Sequence, residues 1–414
     1  MKLSQSAKNA IFIGTLCSVS YLAVYFARNI LGAAQPQMLE TGKFNEEYFG
    51  TLSSTYFISY AIGQLVNGAI GDKIKARWMI SLGLLFAGVT NFLFSFIAVD
   101  ALWANIVYAM TGFFLAMIYG PMTKVVAENT EPVYATRCSL GYTFASFFGS
   151  PLAGITAAVM AWQTVFTVSS VALVVMAVAC FAVFLVFERK GVITYNQYDR
   201  VKKERGLGNF KETLKVLYKY RIVKFAFISI LTGVVRTAVV FWLPTYINQY
   251  LEFDPTTSAS IYTVATLFIS LTTFISVFVY ERFMKRDMHK TVLFMFSSSV
   301  TFFTLVYLVK APFFNIVFMV IAIMSCNGVA TMLWSRYCPS LRDTGVVSGA
   351  TGFLDFLSYM AAAVSSSVFA NAVGAIGWKN LILVWLGLMA LGVLVALPYD
   401  KWRKKGETQA MEQQ

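Results

Sequence analysis

The chain has 414 residues, 58% hydrophobic and only 13% charged, about half the charged share of a soluble domain. Long apolar stretches recur along the whole length, which excludes a soluble protein with a single anchor and indicates a polytopic membrane protein. The formal net charge of +13 does not point to nucleic acid, because the basic residues cluster between apolar segments, the pattern that sets membrane topology.

A spanning helix needs about 20 mostly apolar residues. In chain order the sequence predicts spans over 11–38, 50–71, 78–98, 102–126, 138–160 and 163–187, then 222–251, 256–280, 290–309, 312–334, 345–373 and 378–399. The expected fold is an all-α membrane protein of twelve transmembrane helices in two pseudo-symmetric six-helix bundles. Residues 1–187 form the N-terminal bundle, 188–221 a linker, 222–400 the C-terminal bundle and 401–414 a tail. Lys2 and Lys8 ahead of an apolar run resemble a signal peptide. The run is too long and lacks a small-residue cleavage site, so it reads as a retained first helix.

Counting lysine and arginine orients the chain. With the N-terminus inside, 28 fall in cytoplasmic segments and three (Lys43, Lys310, Lys379) in outer loops. That bias puts both termini, the linker and the tail in the cytoplasm of a cell membrane. The linker is polar, mixed in charge and reads as a solvated tether. Its basic face is a secondary candidate for lipid headgroups.

The remaining two basic residues lie inside spans. Arg28 sits in the first and Arg236 in the seventh, 208 residues apart, about half the chain. A charge at that depth costs roughly 2.5–3.5 kcal/mol on insertion scales, and such residues mark substrate or ion paths. The spacing predicts one arginine at the same place in each of two repeats. Tyr21 and Tyr25 stand seven and three residues before Arg28 and share its helical face. Tyr60 and Gln64 form another polar and aromatic face in the second span. Pro244 predicts a softened seventh helix.

Asp355 is the only acid placed deep in a span, with Tyr359 one turn beyond it. A lone carboxylate there protonates unless it is paired. One reading is an ion pair or hydrogen bond that fixes packing; the other is a proton-coupling site or a gate that holds an arginine. Two arginines against one aspartate still predict an anionic ligand. The five cysteines are scattered and form no metal motif. His289, the only histidine, lies in a basic loop, which excludes a histidine relay. Gly149–Pro151 and Asn327–Gly328 read as packing or bending positions.

After the second span comes Gly68-Ala-Ile-Gly71-Asp72-Lys73-Ile-Lys75-Ala-Arg77, which resembles the GxxxD[KR]xxx[KR] signature of the major facilitator superfamily. Gly68 lets helices approach, while Asp72, Lys73 and Arg77 are candidates for a conformational latch. Glu281-Arg282 is a degenerate counterpart in the second half. The motif R-x5-W-x-P-T-Y from Arg236 to Tyr246, YxxR at Tyr25–Arg28, and Tyr119-Gly-Pro121-Met-Thr-Lys124 together resemble the organophosphate:phosphate antiporters. Gln64 stands where some members have lysine, and the fifth span lacks the histidine of the glycerol phosphate members.

The resemblance implies that Arg28 and Arg236 pair on a substrate anion at mid-membrane, with Tyr21, Tyr25, Tyr60, Gln64 and Tyr359 around it. It implies exchange of a small organic phosphate for inorganic phosphate by alternating access. A proton-coupled symporter of a carboxylate such as a sugar acid, with Asp355 carrying the proton, is the alternative. A transporter-like membrane sensor of phosphate esters is the third. The expected partners are a small anion, phosphate or protons as counter-substrate, and the lipid bilayer. The chain is expected to be a monomer, to need no cofactor or metal, and not to be an enzyme.

Overall fold

The computed structural model describes residues 4–71, 74–195, 218, 220–338 and 347–397, and every regular element there is helical. In chain order these are α1 (Gln5–Glu40), α2 (Glu46–Gly71), α3 (Ala76–Ile97), α4 (Ala101–Leu115), α5 (Tyr119–Asn129), α6 (Pro132–Val159) and α7 (Trp162–Arg189). Then follow α8 (Ile222–Gly233), α9 (Val240–Gln249), α10 (Pro255–Ser270), α11 (Thr272–Phe278), α12 (Met288–Leu308), α13 (Pro312–Met332) and α14 (Val347–Ala396). Three π-helical segments, Val234–Val239, Val279–Phe283 and Leu333–Tyr337, adjoin α8, α11 and α13.

Local chemistry sets these boundaries. Ser4, Asp100, Asp254 and Asp287 cap the starts of α1, α4, α10 and α12, each accepting a backbone N–H of the first turn. Proline opens α6, α10 and α13, where its missing N–H costs nothing. A straight α14 of 50 residues would be about 75 Å long, more than twice the hydrocarbon thickness. Gly377, at φ 74° and ψ 165°, breaks it, a conformation that strains residues with a Cβ.

Among the described residues, nine helical stretches are long and apolar enough to cross a membrane. The predicted span 102–126 is interrupted by a turn at 116–118 between α4 and α5. In the predicted seventh span, the helix runs through Pro244. The irregularity lies two turns earlier, in the π segment that carries Arg236.

α2 and α6, interrupted by serine, threonine, tyrosine and glycine, are not among those nine. They are also the ones that pack across the chain halves, α2 against α14 and α6 against α10, while α1 meets α9. Small residues permit this closeness. Gly50 faces Ala370 and Ser366, Gly154 faces Thr263, and a Cβ on Gly32 would lie 3.0 Å from the Phe241 carbonyl. Ser54 also donates to the Ala363 carbonyl.

These contacts share one end of the molecule. There Gln249 donates to Glu46 Oε1 at 2.6 Å, and Trp378 Nε1 donates to Gln249 at 3.0 Å. The opposite, basic end holds Ser6–Glu131 at 2.8 Å and the Arg77–Glu188 ion pair at 2.7 Å. Leu271, between α10 and α11, and the two other π segments give the second half further points where the regular ladder shifts.

Candidate functional site

Between the two sets of helices lies a cavity of about 630 Å³. Arg28 stands twelve residues before the end of α1 and Arg236 thirteen before the end of α9. Both are therefore about 18–20 Å along their helices from the closed end, and both line this cavity. From there its lining reaches Lys124, Thr143 and Ser335 toward the basic end. Behind the arginines the Gly32, Gly50 and Gly154 contacts close the passage.

Arg28 is embedded. Its Nη1 donates to the Tyr359 hydroxyl at 2.8 Å and to the Tyr25 hydroxyl at 3.4 Å. Its guanidinium carbon lies 4.8 Å from the Tyr359 ring centre, 5.0 Å from Tyr25, 5.3 Å from Tyr60 and 5.6 Å from Phe57. Flat, weakly hydrated guanidinium suits such a box of rings.

Arg236 is held differently. Its carbon lies 5.8 Å from the Tyr359 ring, and its Nη2 is buried without a hydrogen-bond partner. The π segment Val234–Val239 carries it, three residues after Gly233, where α8 packs on the backbone of Ser358. Such π turns widen the helix and recur at functional positions.

Asp355 lines the same cavity one turn before Tyr359 and acts electrostatically on Arg236 and Arg28. It makes no direct ion pair among the described residues. Tyr21 packs on Tyr25 at 4.9 Å and Tyr119 at 5.5 Å, while Tyr60 meets Tyr359 edge-on at 4.7 Å. Gln64 also lines the wall. The structure thus gathers Arg28, Arg236, Tyr21, Tyr25, Gln64, Asp355 and Tyr359 around one space; Tyr60, predicted to join them, is buried behind the wall, packed on Tyr359 and Arg28.

Other wall residues escaped the sequence reading. Asn67 Nδ2 and Asn327 Oδ1 are buried lining atoms without hydrogen-bond partners, and unmet buried polar atoms call for explanation. Asn67 follows Gln64 by one helical turn, a signal that was present. Asn327 and Ser150, read as packing positions, line the cavity, while their neighbours Gly328 and Gly149 do pack, against Met295 and Tyr25. Lys124 adds a third cation to the wall.

Of the predicted latch, Gly68 lies in the last turns of α2, while Asp72 and Lys73 fall outside the described residues. Arg77 pairs with Glu188 and stacks on Trp78 and Phe181 at 5.5 and 5.2 Å. Tyr195 donates to the same carboxylate at 2.8 Å; burial, then Glu188 itself, pushes its phenol above the ordinary range. Glu281 pairs with Arg336 at 3.5 Å at the corresponding place in the second half.

Helices of this length around a charged central cavity define a multi-pass membrane protein. Residues 17–366 match the family model described as the Major Facilitator Superfamily, and the chain belongs to that superfamily. Its fold is shared with a bacterial homolog of the human lysosomal transporter Spinster, solved inward-facing and unoccupied. That match has TM-score 0.74 and 9% identity, over 94% of this chain and 96% of that one. A D-xylose–proton symporter matches with TM-score 0.73 and 13% identity, over 93% and 96%.

The glycerol-3-phosphate transporter of Bacillus subtilis is 24% identical over 88% of this chain and 84% of its own length. The membrane sensor protein UhpC of Salmonella typhimurium is 33% identical over 97 residues, 23% of this chain and 22% of that protein. The chain thus matches less than a quarter of the length of that relative.

Proposed function

We propose that the chain is a secondary active transporter that exchanges a small organic phosphate for inorganic phosphate. It would do so as a monomer in the cell membrane. In this reading twelve helices form two bundles, 1–187 and 222–400, joined by the cytoplasmic linker 188–221 and followed by the tail 401–414, with both termini inside. Nine clear stretches, the polar helices α2 and α6, and the break at Gly377 support that count.

The observation that carries the function is the pair Arg28 and Arg236. They come from opposite chain halves, stand at one depth and flank one cavity. Two guanidinium groups offer several N–H donors to a tetrahedral anion. Tyr21, Tyr25, Gln64, Asn67 and Asn327 line the space for the rest of the cargo, and Tyr60 supports Arg28 and Tyr359 from behind. The described state is inward-open, because the cavity reaches the basic end and the other end is closed.

Bound anion neutralises the two arginines and draws the bundles together. Without it they repel, which slows return of the empty carrier and enforces exchange. Gly68, Asp72, Lys73 and Arg77 serve as the cytoplasmic latch. No cofactor or covalent chemistry enters. The similarity to a glycerol-3-phosphate transporter over most of both chains supports the substrate class.

Asp355 favours a second reading, proton-coupled uptake of a carboxylate such as a sugar acid. The local similarity to a membrane sensor supports a third, sensing of phosphate esters without transport. One experiment separates the three: uptake of labelled glycerol 3-phosphate, phosphate and gluconate into liposomes, preloaded with phosphate or empty, with and without a proton gradient. Exchange requires internal phosphate and no gradient. Gradient-driven uptake into empty vesicles overturns exchange in favour of symport, and binding without any flux leaves the sensor.

A further inference from the structure

Tyr359 occupies the place between the two arginines. Its hydroxyl accepts from Arg28 Nη1 at 2.8 Å, and its ring lies 4.8 Å from the Arg28 guanidinium and 5.8 Å from that of Arg236. Among the described residues no other ring lies over both cations. Its own position is fixed by the edge-on contact with Tyr60 and by the close packing of Ser358 on Gly233.

A phenol oxygen and a π face are the nearest a neutral side chain comes to an anion. The ring attracts each guanidinium by cation–π interaction, and the oxygen takes a hydrogen bond from a charged donor. A phosphate that engages both arginines competes with that ring for the space between them and with its hydroxyl for the Arg28 guanidinium.

We infer that Tyr359 is an internal stand-in for the cargo: it occupies the space between the two arginines in the empty carrier, easing their repulsion without cancelling it, and the incoming anion displaces it. This rests on the proposed role of Arg28 and Arg236 as the anion site. Tyr359 is then a positioning residue that competes with cargo, not one that holds it. The contact also joins α14 to α1, so displacing it releases a cross-bundle bond whenever cargo enters.

Competition and direct contact predict opposite effects of Tyr359→Phe. The ring and its packing remain, while the oxygen that occupies Arg28 is lost. If Tyr359 competes, binding tightens, by about three- to tenfold. In exchange assays KM and maximal rate fall together, because a tighter complex releases cargo more slowly. A hydroxyl that donates to the cargo gives weaker binding, and a merely structural role gives unchanged or damaged binding; either result overturns the inference.

The probes are inorganic phosphate, glycerol 3-phosphate and gluconate, titrated calorimetrically into purified parent and variant. If phosphate compounds bind equally well or less well to the variant, the stand-in role fails while the phosphate reading survives. If only gluconate binds, and binds the variant more tightly, the stand-in role holds and the phosphate reading fails. Binding of none of the three to either protein overturns both.

Discussion

Arg28 and Arg236 stand at matching depths in matching helices, yet their surroundings differ. Arg28 is partly met before any cargo arrives, its Nη1 by two phenol oxygens and its plane by four surrounding rings. Arg236 sits on a widened turn with Nη2 unmet, and Asp355 lines the same cavity without a direct ion pair to it. Repeat symmetry brings two arginines to one depth; it does not divide the cost of burying them equally. The first half of the chain meets that cost with aromatic packing. The second leaves part of it unmet in the empty site.

The largest expected effect removes the property the two share. Arg28→Lys and Arg236→Lys keep the charge but lose the planar fork, and with it one or two charge-assisted hydrogen bonds of about 1.5–3 kcal/mol each. Phosphate exchange in preloaded liposomes falls about a hundredfold or more in either variant. Activity within threefold of the parent in either one places the anion elsewhere.

The next separates the counter-groups. Asp355→Asn removes the carboxylate opposite Arg236 and leaves the site more positive. Under exchange, KM for phosphate falls about three- to tenfold, the size of one attenuated charge interaction in a partly wet cavity. Under symport, the same variant loses gradient-driven uptake altogether. Radiotracer uptake with and without a proton gradient reads both.

The contrast between the arginines also marks how far the sequence could be read. The charges themselves were visible because a membrane tolerates few of them, and the tyrosines near Arg28 because α-helical spacing puts positions three and seven apart on one face. What no local pattern carries is a register shift. The π segment at Val234–Val239 is irregular although Pro244, the obvious disruptor, sits in regular helix. Its neighbour Gly233 is pressed on Ser358, more than a hundred residues away.

The bond from Arg28 to Tyr359 joins residues 331 apart, so it depends on how α1 and α14 meet. Asn327 looked like a packing residue beside Gly328, and only the assembled wall turns it to the cavity. The turn at 116–118 stands just before Gly120 and Pro121, a breaker pair that the sequence did offer.

Stability gives a smaller and more telling difference. Arg28→Met breaks a hydrogen bond between a charged group and Tyr359 and empties a ring-lined box, a loss of about 1.5–3 kcal/mol. Arg236→Met removes a buried donor that already lacks a partner, a group that itself costs about 1–3 kcal/mol to bury. In detergent without ligand, the first variant melts about 2–6 °C below the parent, and the second melts at or above it. Saturating phosphate stabilises only the parent, by about 2.7 kcal/mol at a hundred times Kd, and so raises only its midpoint. Equal losses in both variants would mean that the two arginines are equivalent after all.

The smallest effect concerns the end that closes behind both arginines. Gln249 links Glu46 to Trp378, and so joins α2, α9 and the restart of α14 after Gly377. Gln249→Ala removes two hydrogen bonds but leaves the glycine contacts at Gly32, Gly50 and Gly154. A net loss of about 0.5–1.5 kcal/mol is a two- to tenfold shift between closed and open populations. Spin labels at Glu40 and Glu252, read by pulsed dipolar spectroscopy, show a longer-distance population that grows by that factor. Because Arg28 and Arg236 lie equally far from this end, opening exposes them together. The variant therefore raises phosphate access from the outer side without changing which arginine limits binding. Opening that left phosphate access unchanged would show that the seal lies at the glycine contacts, closer to the arginines than the Gln249 chain.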